Sequence, residues 1–158
     1  MTTKFRNIKL PIQPTEERLV VLSQFFIEHF DSIQKEYAAF CIEANETLTT
    51  VKEYFSKKIE PDPTFLADDL SNLTSVLFYV GENVANSQTF CSIYDIIFFC
   101  EKSKAMSESD RKAYTNVKTL HQKNLLAQLK NADDRLGTRI SVCQSILKAE
   151  MIKLNRAI

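Results

Sequence analysis

The sequence predicts an all-α protein built as an elongated, antiparallel three-helix bundle with coiled-coil character. Its 158 residues include only two glycines and four prolines, which is a composition typical of helices rather than of sheets with many turns. Apolar residues recur at steps of three and four along most of the chain, which is the helical period. Interruptions of this pattern divide the chain into an N-terminal arm, residues 1–14, and one domain, residues 15–158.

The first helix is predicted over about residues 15–60. Pro11 and Pro14 exclude the arm from it, and Thr15 occupies a position suited to an N-cap, with two acidic residues after it. The Pro-containing segment 60–64 ends the helix. Its apolar stripe consists of Leu19, Leu22, Phe26, Phe30, Ile33, Tyr37, Phe40, Ala44, Leu48, Val51 and Phe55.

The second helix is predicted over about residues 64–104, with steps that alternate between four and three as in a coiled-coil seam. Its apolar stripe consists of Leu66, Leu70, Leu73, Leu77, Val80, Val84, Cys91, Tyr94 and Phe98. Further apolar residues widen this stripe to nearly all faces, which predicts burial both by the same chain and by a partner. On this basis the dimer-interface candidates are Phe78, Phe90, Ile93, Ile97 and Phe99.

The third helix is predicted over about residues 108–157, after a polar turn that contains Ser107 and Ser109 as alternative N-caps. Its predicted stripe consists of Tyr114, Val117, His121, Leu125, Leu129, Ala132, Leu136, Ile140, Cys143, Leu147, Met151 and Leu154.

Charge is balanced overall, with twenty basic and twenty acidic residues, and this argues against a nucleic-acid partner. Its distribution is uneven, because residues 107–158 contain ten basic and five acidic side chains. Basic residues at a helical tip can dock on anionic lipid headgroups; the alternative is ordinary solubilising charge paired with the acidic helices. The membrane-binding candidates are Lys102, Lys104, Arg111, Lys112, Lys118 and Lys123.

The arm alternates charged and apolar residues over positions 4–10. This pattern is compatible with a short segment inserted at a membrane interface or with a disordered leader.

No arrangement of residues predicts catalysis, a cofactor or a bound metal. His29 and His121 lie on or beside helical stripes, where packing roles are expected, and the four cysteines lack metal-binding spacing. Buried free thiols are the expectation. The absence of a secretory signal pattern and of an apolar run long enough for a membrane span predicts a cytoplasmic protein. The lack of a catalytic arrangement predicts that it is not an enzyme.

The positional pattern of about residues 20–158 resembles the carboxy-terminal BAR domain of the sorting nexins. Residues 66–73 and 80–85 are similar to the middle helix of that family, and residues 110–117, 134–136 and 146–156 to its third helix. The resemblance implies an antiparallel dimer with a six-helix centre and a curved basic face. It also implies a role in endosomal protein sorting or membrane tubulation.

Two functions follow as hypotheses. In the first, the chain is a BAR-like homodimer or a heterodimer with a related BAR protein. This dimer would be peripheral on endosomal membranes that contain phosphoinositides and in contact with other trafficking proteins. In the second, it is a cytosolic helical adaptor that binds a helix of a partner protein without contacting lipid.

Overall fold

The computed structural model describes residues 5–6, 8–11, 14–102 and 106–156. Over these ranges the chain forms five α-helices and no strand, so the all-α prediction is confirmed. Two of the helices, with 39 and 37 residues, are about three times the ~11–12 residue mean for globular proteins. The helices are α1 (Glu16–Glu28), α2 (Phe30–Ser56), α3 (Pro63–Glu101), α4 (Glu108–Lys118) and α5 (Leu120–Arg156).

Two helix starts have the caps that the sequence indicates. The Thr15 hydroxyl accepts a hydrogen bond from the Arg18 amide, 3.4 Å away, at the start of α1. At α4 the cap is Ser107 rather than Ser109, and its hydroxyl accepts from the Asp110 amide at 3.1 Å. Each cap satisfies an amide that has no partner within the helix.

The first and third predicted helices are each interrupted at one residue. His29 separates α1 from α2, and Thr119 separates α4 from α5, with φ near −100° and ψ near 15° at both. At His29 the ring Nδ1 lies 2.9 Å from the Phe25 carbonyl oxygen. At Thr119 the hydroxyl lies 2.9 Å from the Thr115 carbonyl oxygen, a bond to the preceding turn that bends helices. The 3.6-residue pattern alone does not reveal such interruptions.

The described residues of Met1–Ile42 and Val84–Gln128 form one compact unit, here unit 1. Its core is mainly aromatic, with Phe26, Phe40 and Phe90 completely buried. Tyr37 packs edge-on against Phe90, with ring centroids 5.2 Å apart. Such aromatic pairs add about 0.5–1.5 kcal/mol to the stabilisation expected from their buried area.

The N-terminal arm contributes to the core of unit 1. The Phe5 side chain is 1% exposed and packs near the Phe25 and His29 rings. The Phe5 amide donates to a carboxylate oxygen of Glu36 at 3.0 Å. The arm's bulkiest apolar side chain is therefore enclosed by protein, which fits neither of the two alternatives suggested by its sequence pattern.

The described residues of Glu43–Asn83 and Leu129–Ile158 form unit 2. Its core is mainly aliphatic, and its polar member is Asn83, which is 8% exposed and donates to the Thr47 hydroxyl at 2.9 Å. Buried apolar residues of this unit are Ala44, Leu48, Val51, Leu66, Leu73, Val80, Leu129, Ala132, Leu136 and Cys143. All ten belong to the predicted stripes.

Candidate functional site

The structure separates the six predicted membrane-binding residues into three groups. Lys104 lies outside the described residues. Lys112 and Lys123 form ion pairs within the chain, and the Arg111 guanidinium lies 4.5 Å from the centroid of the Phe99 ring. The remaining two, Lys102 and Lys118, form no ion pair with a carboxylate of any described residue.

Lys102 and Lys118 come together at one aromatic ring. Their ammonium nitrogens lie 4.4 Å and 5.6 Å from the centroid of the Tyr114 ring, within the range of a cation–π contact. The Tyr114 hydroxyl donates to the Glu101 carboxylate at 2.8 Å, which holds the ring beside the end of α3. This gives a small cluster of two cations on an aromatic platform.

Exposed apolar side chains accompany this cluster. Val117, one helical turn after Tyr114, is 74% exposed, and Leu120 is 56% exposed. We call Lys102, Tyr114, Val117, Lys118 and Leu120 the α4 surface. Cations beside exposed apolar side chains are the combination found on helices that lie at a membrane interface.

The other two lysines have structural partners. The Lys112 ammonium lies 2.5 Å from a Glu108 carboxylate oxygen, one turn earlier on α4. The Lys123 ammonium lies 3.0 Å from Asp95 and donates to the Asn116 side-chain oxygen at 2.8 Å. Both lysines line a cavity of about 350 Å³ whose apolar lining is Leu19, Ile96 and Phe99. Their charge is therefore largely balanced within the chain.

Asp95 connects α3 to the interruption between α4 and α5. One of its carboxylate oxygens lies 3.0 Å from the Thr119 hydroxyl and 3.0 Å from the Lys123 ammonium. Thr119 is completely buried, and Thr115 is 5% exposed. The face that α4 turns inward is thus polar, which explains why the predicted stripe residue Val117 lies outside.

Three of the five dimer-interface candidates are buried by the chain itself. Phe90 and Ile93 are 0% exposed and Ile97 is 5% exposed, because α3 contacts other helices of its own unit on several sides. Phe99 is half-buried beneath Arg111. Phe78 remains 64% exposed, with its ring 6.0 Å from that of Tyr79, which is 60% exposed. The wide stripe of α3 is thus explained within unit 1 by intramolecular packing, and the dimer stays a prediction.

Of the two histidines, His121 belongs to a polar group in unit 1. Its Nδ1 lies 2.9 Å from the Tyr37 hydroxyl oxygen. Burial raises the pKa of the Tyr37 phenol, with a further increase from its hydrogen bond with Cys41. Burial also raises the pKa of the Cys41 thiol. A nucleophilic cysteine requires the opposite shift, so nothing in this group activates the Cys41 thiol. Of its three members only Tyr37 belongs to the core, since Cys41 is half-buried and His121 is exposed.

Sequence reasoning missed the polar inner face of the third predicted helix. Thr115, Thr119 and Gln122 are buried, and their spacing of four and three leads directly to the buried Leu125. A stripe that admits Thr and Gln is detectable in the sequence. Its member Thr119 has a partner in another helix, Asp95, which periodicity does not reveal.

Comparison with known proteins places the chain in no group: no family model, no curated protein and no solved structure matches it. Over the described residues, no helix is both long enough and apolar enough to traverse a bilayer.

Proposed function

We propose that the chain associates with anionic membrane surfaces through the α4 surface and acts as a dimer in membrane trafficking. The observation that carries the proposal is the pair of lysines at Tyr114, free of carboxylate partners among the described residues and flanked by exposed Val117 and Leu120. The resemblance to sorting-nexin BAR domains supports the dimer and the endosomal location.

Electrostatics gives the expected size of the effect. Each Lys or Arg near an anionic bilayer contributes about 1 kcal/mol, and an exposed apolar side chain that enters the interface adds to this. Among described residues 101–123, the five basic side chains exceed the three acidic ones by two. Membrane association of this kind is weak for one chain and is strengthened when a dimer presents two such surfaces.

Sedimentation with lipid vesicles tests the proposal. The intact chain is expected to sediment with vesicles that contain phosphatidylserine or a phosphoinositide and not with phosphatidylcholine alone, and binding should fall as salt rises. Reversal of both lysines, Lys102→Glu with Lys118→Glu, should weaken binding by at least about thirtyfold, from about 1 kcal/mol per lost lysine. A wild-type chain that ignores anionic vesicles at low salt contradicts the proposal.

A matched control separates the α4 surface from general charge. Lys130 and Lys148 are exposed on α5 and form no ion pair with a described residue. Lys130→Glu with Lys148→Glu changes the net charge by the same amount and is expected to preserve most of the binding. Equal losses in the two double variants would show that binding depends on net charge and not on this surface.

The dimer contact is proposed at Phe78 and Tyr79, because these neighbouring aromatic side chains of α3 are exposed in the single chain. Light scattering combined with size-exclusion chromatography should give a concentration-dependent dimer. Phe78→Ser with Tyr79→Ser should shift it to the monomer without loss of helicity. A wild-type chain that remains monomeric at high concentration contradicts this part of the proposal.

A second candidate is a helical adaptor that binds another protein. The observation that favours it is the end of α5, where Met151, Ile152 and Leu154 are 53%, 44% and 56% exposed. Met151 and Leu154 continue the apolar stripe of the third predicted helix, but at this end no other part of the described chain buries them. A helical partner that copurifies in fixed ratio and is lost in Met151→Ser with Leu154→Ser, but retained when Lys102 and Lys118 are reversed, would favour the adaptor.

A further inference from the structure

Unit 2 contains an open cavity of about 350 Å³ that involves none of the membrane-binding or dimer-interface candidates. Its volume lies within the range of about 300–1,000 Å³ typical of small-molecule sites. The lining combines two arginines with apolar and polar side chains. It consists of Phe55, Ile59, Asp134, Arg135, Thr138, Arg139 and Val142.

The two arginines share one aromatic platform. Their guanidinium carbons lie 4.2 Å (Arg135) and 5.7 Å (Arg139) from the centroid of the Phe55 ring. Arg139 also donates from Nη2 to the Lys57 carbonyl oxygen at 2.8 Å, just beyond the end of α2. The residues are one helical turn apart on α5, so their guanidinium groups are held close together over the ring.

Neither guanidinium forms an ion pair with a carboxylate of a described residue. The one acidic side chain in the lining is Asp134, which lies more than the ion-pair distance from both. Stacking on an aromatic face leaves the edge donors of a guanidinium available. Two adjacent, fixed cations with available donors are suited to an oxyanion, which arginine binds with two parallel hydrogen bonds.

We propose that this cavity binds a small organic anion. Its carboxylate or phosphate group would be held by Arg135 and Arg139, and its apolar group would pack against Ile59 and Val142. The apolar part of the lining favours an anion that carries a hydrophobic group over a bare inorganic ion. The site does not depend on membrane association, because none of its residues belongs to the α4 surface.

Nuclear magnetic resonance of the intact, isotope-labelled chain tests this inference at constant ionic strength. The probes are phenyl phosphate, phenylacetate, inorganic phosphate and benzyl alcohol. Both aromatic anions are expected to shift the Arg135 and Arg139 side-chain signals in saturable fashion, with Kd on the order of 1 mM. Inorganic phosphate should bind several-fold more weakly, and neutral benzyl alcohol should not shift these signals.

Variants identify the groups responsible. Arg135→Gln with Arg139→Gln should weaken binding of the aromatic anions by at least about tenfold, since each lost charge-assisted hydrogen bond costs more than a neutral one. Lys130→Gln with Lys148→Gln, an equal charge change on the same helix, should alter the affinity by less than about twofold. Arg135→Lys with Arg139→Lys keeps the two charges but lacks the forked donors of guanidinium. Its affinity for the aromatic anions should lie between those of the double Gln variant and the lysine control.

Three outcomes would overturn the inference. The first is the absence of saturable shifts in the wild-type chain, and the second is equal affinity in the double Gln variant. The third is equal binding of benzyl alcohol and the anions, which would indicate an apolar cavity only. If the double Gln variant loses its helicity, the single Arg135→Gln variant decides, because this side chain is exposed and an unchanged affinity there contradicts the proposal.

Discussion

Substitution of Thr119 by Val tests how α3 holds the interruption between α4 and α5. Thr119 is completely buried, and its hydroxyl lies 3.0 Å from the Asp95 carboxylate. Val has nearly the same shape, so the substitution removes the hydroxyl without creating a cavity. A hydrogen bond to a charged group contributes about 1.5–3 kcal/mol.

The lower part of that range applies here for two reasons. Asp95 keeps its ion pair with Lys123, which is partly exposed to water, and the single hydroxyl proton of Thr119 is shared between Asp95 and the Thr115 carbonyl oxygen. We therefore expect Thr119→Val to lower the free energy of unfolding by about 1.5–2 kcal/mol. For a chain of this size, that corresponds to a decrease in Tm of roughly 3–8 °C. Urea unfolding followed by circular dichroism measures the first quantity, and a thermal melt measures the second.

Thr49 provides the control, since it is an exposed threonine whose hydroxyl bonds only to the Asn45 carbonyl of its own helix, at 2.9 Å. Thr49→Val is expected to change the free energy of unfolding by less than about 0.5 kcal/mol. If Thr119→Val has no larger effect than Thr49→Val, the role assigned to the hydroxyl is incorrect. A double-mutant cycle with Asp95→Asn should give a coupling energy above about 0.5 kcal/mol, and purely additive effects would also contradict the assignment.

Three further predictions concern buried side chains. Phe5→Ala should lower the free energy of unfolding by about 3 kcal/mol, the low end for a buried Phe→Ala change, in urea unfolding. Burial raises the pKa of Tyr94 from 10.0 to about 12. Because Tyr94 loses its proton at a lower pH in the unfolded chain than in the folded chain, its contribution to stability is complete below pH 10 and is lost as pH rises to about 12. The free energy of unfolding should fall in this range by up to ~1.4 kcal/mol per pH unit. Tyr94→Phe should remove that part of the pH dependence, measured by unfolding at each pH. Cys91 and Cys143, 6% and 0% exposed, should react with a thiol reagent more slowly than the two half-buried cysteines, as followed by mass spectrometry.

Each of these three predictions has a contrary result. An unchanged stability in Phe5→Ala would mean that the arm is not part of the core. An identical alkaline slope in Tyr94→Phe would mean that another group controls the loss of stability above pH 10. Immediate labelling of Cys143 in the native chain would contradict its burial against its neighbours in unit 2.

The sequence was sufficient to predict the helical class and much of the core, because long runs at steps of three and four permit one buried face. Residues such as Phe40, Leu73 and Leu136 are buried as that pattern requires. The interruption at Thr119 was not predictable in this way, because it depends on a side-chain bond to the preceding turn and on Asp95 from another helix. Phe5 was missed for a similar reason, since an isolated aromatic residue in an arm has no periodicity.

The candidate sites illustrate the same limit. Charge counts located a basic region, but they did not distinguish Lys118 at the Tyr114 ring from Lys112, which is paired with Glu108. Nor did they indicate that Arg135 and Arg139 share the Phe55 ring, because Phe55 lies on α2 and the arginines on α5. Side-chain contacts between residues far apart in the sequence decide which charges are available to a ligand. Patterns along the sequence do not contain this information.

The burial of Phe5 has a practical consequence for work with this protein. An affinity tag or a fluorescent reporter fused ahead of Phe5 would join the chain only a few residues from a core side chain, whose amide also donates to Glu36. The described residues at the end of α5, 151–156, are all exposed, so a fusion there joins no buried side chain, but it lies beside the apolar residues proposed above for a partner helix. Vesicle-binding and partner-capture experiments should be compared between the two placements, because a label at the first site can itself alter the molecule under test.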